Sequence, residues 1–256
     1  MVGVFIGIGV GPGDPELITL KAAKALKAAN VICVPKSHAN KPSMALGMIK
    51  PILGECKCPP EILELVFPMS RDELNCRKLW AENAAIVADK ARRGSVVFIT
   101  LGDPMLYSTF LYLYEFVKES YPEIELEIIP GVTSITAVAA SSKLPLAEKE
   151  EVVTIIPTDL SPTRLENAAK HAENLVFMKC AFHLKEFIPT LLKSGFTKNS
   201  TVALVKRCTL PEEKVIVGKL GDVEGWDVSE DYFSVAIVKK SQVPIRWKQN
   251  GSVKKT

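Results

Sequence analysis

Apolar residues run from Val2 to Ile6 and lead directly into a turn rich in glycine, Gly7-Ile8-Gly9-Val10-Gly11-Pro12-Gly13-Asp14-Pro15. From Pro15 to Asn30 the apolar positions Ile18, Ala22, Ala25, Leu26 and Ala29 keep helical spacing, while Lys21, Lys24 and Lys27 fall elsewhere on the turn. Asp14 suits the cap and Pro15 the first position of that helix. Asn30 stops it, and Val31 to Val34 reads as a short buried strand ended by Pro35. A strand, a turn, a helix and a second strand predict a parallel sheet, because parallel strands need a crossover.

The alternation continues through the first half. Pro42 opens a helical stretch through Ile49, Glu64 to Phe67 reads as a strand, and Asp72 to Arg93 as a long helix stopped by Gly94. Ser95 to Leu101 is the strongest buried strand in the chain, and it runs straight into Gly102-Asp103-Pro104. A helix from Leu106 to Ser120 and a strand from Ile124 to Ile129 follow, then the turn Pro130-Gly131-Val132-Thr133-Ser134 and a helix of small residues ending near Ser142. Lys143 to Glu151 resembles a connection, so a domain boundary falls there or earlier, at Tyr121-Pro122.

Beyond it, Val152 to Ile156, Leu175 to Met178 and Thr201 to Val205 read as strands, with helices at Leu165 to His171 and Leu184 to Ser194. Val215 to Gly218 and Phe233 to Val238 are short, rich in β-formers and joined by turns, which predicts an antiparallel contribution to the second half. The fold class expected is α/β, with one or two domains at 256 residues.

Composition narrows the function classes. With 47% hydrophobic and 24% charged residues, the chain has an ordinary soluble balance. No apolar run reaches the length of a membrane span, and the start lacks the basic n-region of a signal peptide, so a cytoplasmic location is expected. The net charge of +3 is concentrated at the end: no acid follows Asp231, whereas Lys240, Arg246, Lys248, Lys254 and Lys255 are all basic. A near-neutral body with a basic tail, residues 240–256, is expected to be a frayed end rather than a nucleic-acid binder. Six scattered cysteines, Cys33, Cys56, Cys58, Cys76, Cys180 and Cys208, show no zinc spacing and read as reduced thiols. No metal site is expected.

The glycine stretch fits no nucleotide fingerprint. Counting from Gly7, the third glycine of G-x-G-x-x-G would be Pro12; counting from Gly9 it would be Asp14. No P-loop or G-x-S-x-G elbow is present, and His38, His171 and His183 lie in no triad context. What remains is three turns after strong strands, Gly9 to Asp14, Gly102 to Tyr107 and Pro130 to Ser134, at the strand ends where open α/β sheets place ligands. Each turn alone has a structural explanation, since tight turns use Gly and Pro.

Together the three carry a resemblance. Gly7-x-Gly9-x-Gly11-Pro12-Gly13-Asp14-Pro15-x-Leu17-x-Thr19-x-Lys21, then Gly102-Asp103-Pro104, then Pro130-Gly131-Val132-Thr133-Ser134 resemble the tetrapyrrole methylases, in order and spacing over nearly the entire chain. These enzymes move methyl groups from S-adenosylmethionine to ring carbons of cobalamin and sirohaem precursors. Val34-Pro35-Lys36-Ser37, Gly102 through Thr109 and Pro145-Leu146-Ala147-Glu148 are similar to the C-20 methyltransferases, which act on precorrin-2 or cobalt-factor II. The resemblance implies two α/β domains, 1–122 and 123–239, with the cofactor and substrate cleft between them and a mixed sheet in the second. It also implies a homodimer and a tetrapyrrole substrate, without nucleic-acid or membrane partners.

Carried over by position, the cofactor contacts are Pro12, Leu101, Gly102, Asp103, Leu106, Thr133, Ser134, Met178 and Cys208. Related enzymes often have glycine where this chain has Lys179 and Cys208. The donor's sulfonium is already reactive, so alignment and exclusion of water are the main tasks and no triad is needed. Asp103 is expected to orient the donor or to cap the following helix. Lys36, Lys41, Arg71, Lys179, Lys206 and Arg207 are candidate partners for substrate carboxylates. Tyr107 and Ser108 are the candidate catalytic residues, at the ring edge or in proton removal. Three alternatives remain open: methylation at another ring carbon, binding of the cofactor without turnover, and a non-tetrapyrrole acceptor such as a diphthine precursor. Whether the substrate carries cobalt is left open, with a lean toward the cobalt form.

Overall fold

The computed structural model describes residues 3–38, 42–68, 72–157, 160–181, 183–228 and 231–242. The chain divides into two compact units between Thr133 and Ser134. The boundary anticipated at 122/123 falls before the Ile124 strand. In the structure that strand belongs with the first sheet, and the division comes after the turn that follows it.

The first unit contains β1 (Val4–Gly9), α1 (Leu20–Ala28), β2 (Val31–Lys36), α2 (Met44–Leu53), β3 (Glu61–Val66), α3 (Glu73–Ala91), β4 (Ser95–Thr100), α4 (Phe110–Ser120) and β5 (Glu125–Ile129). Its sheet is parallel throughout, in the order β3-β2-β4-β1-β5. The central strands β1 and β4 are buried along almost their whole length, as expected of a sheet covered on both faces. Phe5, Phe98 and Phe110 form an aromatic cluster on one side, with ring centroids 5.6 and 5.7 Å from Phe110, and α3 covers it with Ala84, Val87, Ala88 and Ala91. Gly7 serves this core: a Cβ there would lie 2.3 Å from the Phe110 ring.

Two predicted helices start later than their periodicity suggests. Asp14 does cap a helical turn by accepting from Glu16 N at 2.9 Å, but that turn is a short 3₁₀ segment, Pro15–Leu17. The α-helix begins afresh at Leu20, where Thr19 Oγ1 accepts from Ala22 N. Likewise α4 starts at Phe110 rather than Leu106, because Tyr107 takes φ 50° and breaks the helical run. In α2 the helix passes through Pro51 to Leu53, four residues beyond the expected end.

The second unit contains α5 (Ser134–Ser142), β6 (Val153–Ile156), α6 (Pro162–Lys170), β7 (Asn174–Met178), α7 (Leu184–Lys193), β8 (Thr201–Lys206), β9 (Lys214–Lys219) and β10 (Ser234–Lys239). Its sheet is mixed, in the order β6-β7-β10-β8-β9. The two short pieces predicted to add antiparallel character do so, but not with each other. β9 pairs with β8, while β10 inserts between β7 and β8 and is buried from Ser234 to Lys239. No helix among the described residues is long and apolar enough to cross a membrane.

At the far end of β10, Lys239 is almost fully buried and reaches Glu151 Oε2 at 3.0 Å and Pro145 O at 3.1 Å, tying the connection after α5 to the sheet. Asn174 Nδ2 donates to the same carboxylate. Burial pushes the Glu151 carboxyl up, but the hydrogen bonds from Asn174 and Lys239 outweigh it and hold the group below its ordinary value. The stabilisation is therefore complete above the ordinary carboxylate pKa and is lost as pH falls through the lowered one. Glu151→Gln is expected to cost about 2 kcal/mol at neutral pH, toward the low side for a buried pair because the carboxylate is partly exposed. Urea unfolding between pH 3 and 7 should show the loss at neutral pH and a flatter acid limb; superimposable profiles would show that the pair contributes nothing.

Candidate functional site

The three turns singled out by their glycines and prolines follow β1, β4 and β5. Because the order of these strands is β4-β1-β5 and all are parallel, their C-terminal ends lie side by side. The turns interlock through main chain. Val10 N donates to Thr100 O at 2.9 Å, and Gly102 N donates to Gly11 O at 2.7 Å. A Cβ on Gly9 or on Gly131 would lie 2.3 or 2.2 Å from Gly102 O, so that carbonyl sits between two residues that tolerate no side chain. Gly11 and Gly102 have φ of 80° and 67°, which glycine adopts freely.

Asp103 locks the arrangement. Its Oδ1 accepts from Met105 N at 2.8 Å within its own turn, and its Oδ2 accepts from Gly131 N at 3.0 Å across to the third turn. Both earlier ideas about this residue are thus narrowed. The carboxylate holds two loops together, and it caps a turn rather than α4. Next to it, a Cβ on Gly102 would meet only Thr133 Cα at 3.9 Å. The cluster therefore leaves room beside Gly102 and Thr133, and Pro12, Leu101 and Leu106 in the same turns are half-buried.

The two candidate catalytic residues are placed very differently. Ser108 is buried; its hydroxyl donates to Thr100 Oγ1 at 2.9 Å and accepts from Phe110 N at 3.1 Å. Both bonds lie within the first unit's core, so Ser108 shapes the start of α4 and its hydroxyl proton is committed to Thr100. That placement disfavours the proton-removal role expected of it. Thr100, its buried partner, was missed because a threonine ending an apolar strand carries no distinctive signal. Tyr107 is 54% exposed and left-handed, a conformation uncommon for a non-glycine residue and frequent at functional sites.

The remaining candidates sit in or at the start of the second unit. Ser134 opens α5, Met178 ends β7, and Cys208 follows β8. β7 and β8 run in the same direction on either side of β10, so Met178 and Cys208 share one end of that sheet. Cys208 is buried with its Sγ 3.4 Å from Ser141 Oγ, and burial pushes its thiol to about 11, which excludes a thiolate nucleophile at neutral pH. Glu213 accepts from both Ser141 Oγ and Thr209 N, fastening this loop to α5.

Of the candidate cations, Lys41 and Arg71 lie outside the described residues. Lys36 is largely buried and bonded to Glu64 at 2.9 Å, and Lys206 is buried with Nζ 3.2 Å from Asp227 O. Neither presents its ammonium openly to solvent. Lys179 lies over the Tyr232 ring and Arg207 pairs with Asp231. No group of three His, Cys, Asp or Glu among the described residues could hold a metal ion.

Residues 4–224 match the family model of the Tetrapyrrole (Corrin/Porphyrin) Methylases. The chain belongs to this family. It is similar to the "Probable cobalt-precorrin-2 C(20)-methyltransferase" of Methanocaldococcus jannaschii, 38% identical over 91% of this chain and 95% of the relative. It is also 32% identical to the cobalt-precorrin-2 C(20)-methyltransferase of Salmonella typhimurium, over 94% and 98%. Among solved structures, a cobalt precorrin-4 methyltransferase of cobalamin biosynthesis superposes with a TM-score of 0.72 at 23% identity, covering 92% of this chain and 94% of its own. A uroporphyrin-III C-methyl transferase from Thermus thermophilus, complexed with S-adenyl homocysteine, gives 0.67 at 23% identity over 93% and 97%. These two methylases share the fold.

The Asp103 lock makes a prediction that is independent of any ligand. An amide in its place accepts from one N–H but presents its own NH₂ toward the other. Asp103→Asn is therefore expected to destabilise the chain by about 1–3 kcal/mol in urea titrations. An unchanged midpoint would show that the two bonds are dispensable.

Proposed function

We propose that this tetrapyrrole methylase transfers a methyl group from S-adenosylmethionine to C-20 of the cobalt-bearing ring, converting cobalt-factor II to cobalt-factor III. The observation that carries the proposal is the similarity, at 38% and 32% identity over more than nine-tenths of the chain, to two proteins named as cobalt-precorrin-2 C(20)-methyltransferases, one of them as probable. Identity to solved methylases below 25% supports the fold only, and a diphthine synthase shares that fold at a TM-score of 0.61.

The three-turn cluster fits a neutral-to-cationic donor held by main chain. It offers main-chain groups, a carboxylate already anchored at Asp103, and room beside Gly102 and Thr133. Pro12, Leu101, Gly102, Asp103, Leu106 and Thr133 are assigned to the donor on the first unit, and Ser134, Met178 and the main chain at Cys208 on the second. S-adenosylmethionine supplies an electrophilic methyl when bound. The contribution asked of the protein is alignment of carbon, methyl and sulfur and exclusion of water, which requires rigid loops more than reactive side chains. Interlocked glycines and the Asp103 bonds provide that rigidity.

With Ser108 committed to the core, Tyr107 is the remaining candidate for the proton that leaves C-20, or for a contact at the ring edge. The same reading includes a homodimeric assembly and a cytoplasmic location.

Two experiments test these assignments. Incubated anaerobically with methyl-labelled S-adenosylmethionine, the protein should place label at C-20 of the cobalt-loaded substrate faster than of the metal-free ring. Label at C-11 or C-17 would keep the family and overturn the position, and preference for the metal-free ring would overturn the cobalt assignment. Tyr107→Phe should lower kcat by about a hundredfold if the phenol accepts the proton. Unchanged turnover would remove that role.

A further inference from the structure

The connection between β8 and β9, residues 207–213, carries its backbone strain on either side of Cys208. Arg207 and Thr209 are both left-handed, with φ of 49° and 64°, whereas Cys208 between them is not. Residues other than glycine seldom adopt that region, and two of them around one position need surroundings that hold them there. Three bonds do so. Arg207 N donates to Phe233 O at 2.7 Å, Leu210 N to Arg207 O at 3.0 Å, and Thr209 N to Glu213 Oε2 at 2.6 Å. Of the three acceptors, only Glu213 is a side chain.

The same carboxylate oxygen reaches α5. Ser141 Oγ donates its single proton to Glu213 Oε2 at 2.9 Å, so toward Cys208 Sγ, 3.4 Å away, it can only accept from the thiol. Glu213 therefore holds Cys208 from two directions, through Thr209 on the main chain and through Ser141 on the side chain. What stays open is the main chain of Cys208 itself. The residue is 8% exposed, yet neither its N–H nor its C=O makes a main-chain hydrogen bond among the described residues. Main-chain groups in so covered a residue ordinarily have a partner, and their lack of one points to a ligand. Ser141 also lies seven residues, two helical turns, after Ser134 and so on the same face of α5. The carboxylate thus couples the loop after β8 to the helix that Ser134 opens.

We propose that Glu213 is a positioning residue for the methyl donor: acting through Thr209 N and Ser141, it sets the main chain of Cys208 so that its N–H and C=O are presented to the donor. The assignment rests on the reading that the donor contacts the main chain at Cys208, and it names the side chain on which that contact depends. Glu213 acts through its neighbours and touches no reacting atom. Both of its bonds go to one oxygen. A glutamine whose amide oxygen takes that place keeps them, and an alanine loses both.

The test uses the full-length protein and Glu213→Ala, Glu213→Gln and Ser141→Ala. S-adenosylhomocysteine affinity is measured by titration calorimetry, and the thermal midpoint reports whether each variant is folded. Steady-state KM values for S-adenosylmethionine and for cobalt-factor II are measured in parallel. Glu213→Ala should weaken S-adenosylhomocysteine binding and raise the donor KM about tenfold, with the acceptor KM within about twofold. Ser141→Ala, which keeps the Thr209 bond, should weaken binding about threefold, and Glu213→Gln should stay near the wild type. Unchanged S-adenosylhomocysteine affinity in Glu213→Ala, or in Ser141→Ala if the former does not fold, would overturn the role. So would an acceptor KM that rises in step with the donor's, or a glutamine variant as weak as the alanine one. A wild-type protein that fails to bind S-adenosylhomocysteine would refute the donor reading and the role with it. One that binds it, with the variants weakened as stated, but labels no tetrapyrrole at C-20 would refute the proposed reaction and leave Glu213 in its role.

Discussion

The contact on which the first unit's arrangement depends is the wedge of the Gly102 carbonyl between Gly9 and Gly131. Three parallel strands end side by side, and the loops leaving them would spread apart if Gly9 or Gly131 carried a side chain. Instead the loops close on one another through main chain, and the Asp103 carboxylate clamps the outer pair. A site assembled this way is rigid because its walls are backbone. It needs little charge, which suits a reaction whose difficulty is alignment rather than activation of a nucleophile.

The same constraint explains what the neighbouring side chains do. Ser108 and Thr100 bond to each other beneath the second loop and fix where α4 begins, while Tyr107, forced into a left-handed turn just before it, faces outward. Gly7, one turn deeper in β1, yields its space to Phe110 and so ties the aromatic core to the strand that carries the first loop. Core packing and loop geometry are therefore consequences of one run of small residues.

The second unit solves a different problem. Its sheet admits β10 between β7 and β8, and the segment entering β10 anchors the residues leaving both neighbours. Lys179 and Arg207 stand at that end in left-handed backbone, whereas the opposite end is closed by the buried Lys239 paired with the partly exposed Glu151.

Local chemistry was legible in the order of residues. Period and turn signals located the strands and most helices, because a continuous apolar run or a 3.6-residue stripe reflects burial directly. The three loops, and the resemblance their residues carry, were legible there too. Tertiary structure decided the rest. The order β3-β2-β4-β1-β5 brought the loops together, and the insertion of β10 separated two strands that look adjacent in the chain. Burial took Ser108, Lys36 and Lys206 out of solvent, and a left-handed backbone marked Tyr107, Lys179 and Arg207. The Gly9 to Asp14 stretch shows the reason for the divide. Its glycines announce close approach, but whether they approach a ligand, a ring or another backbone depends on strands that lie about ninety and one hundred and twenty residues away.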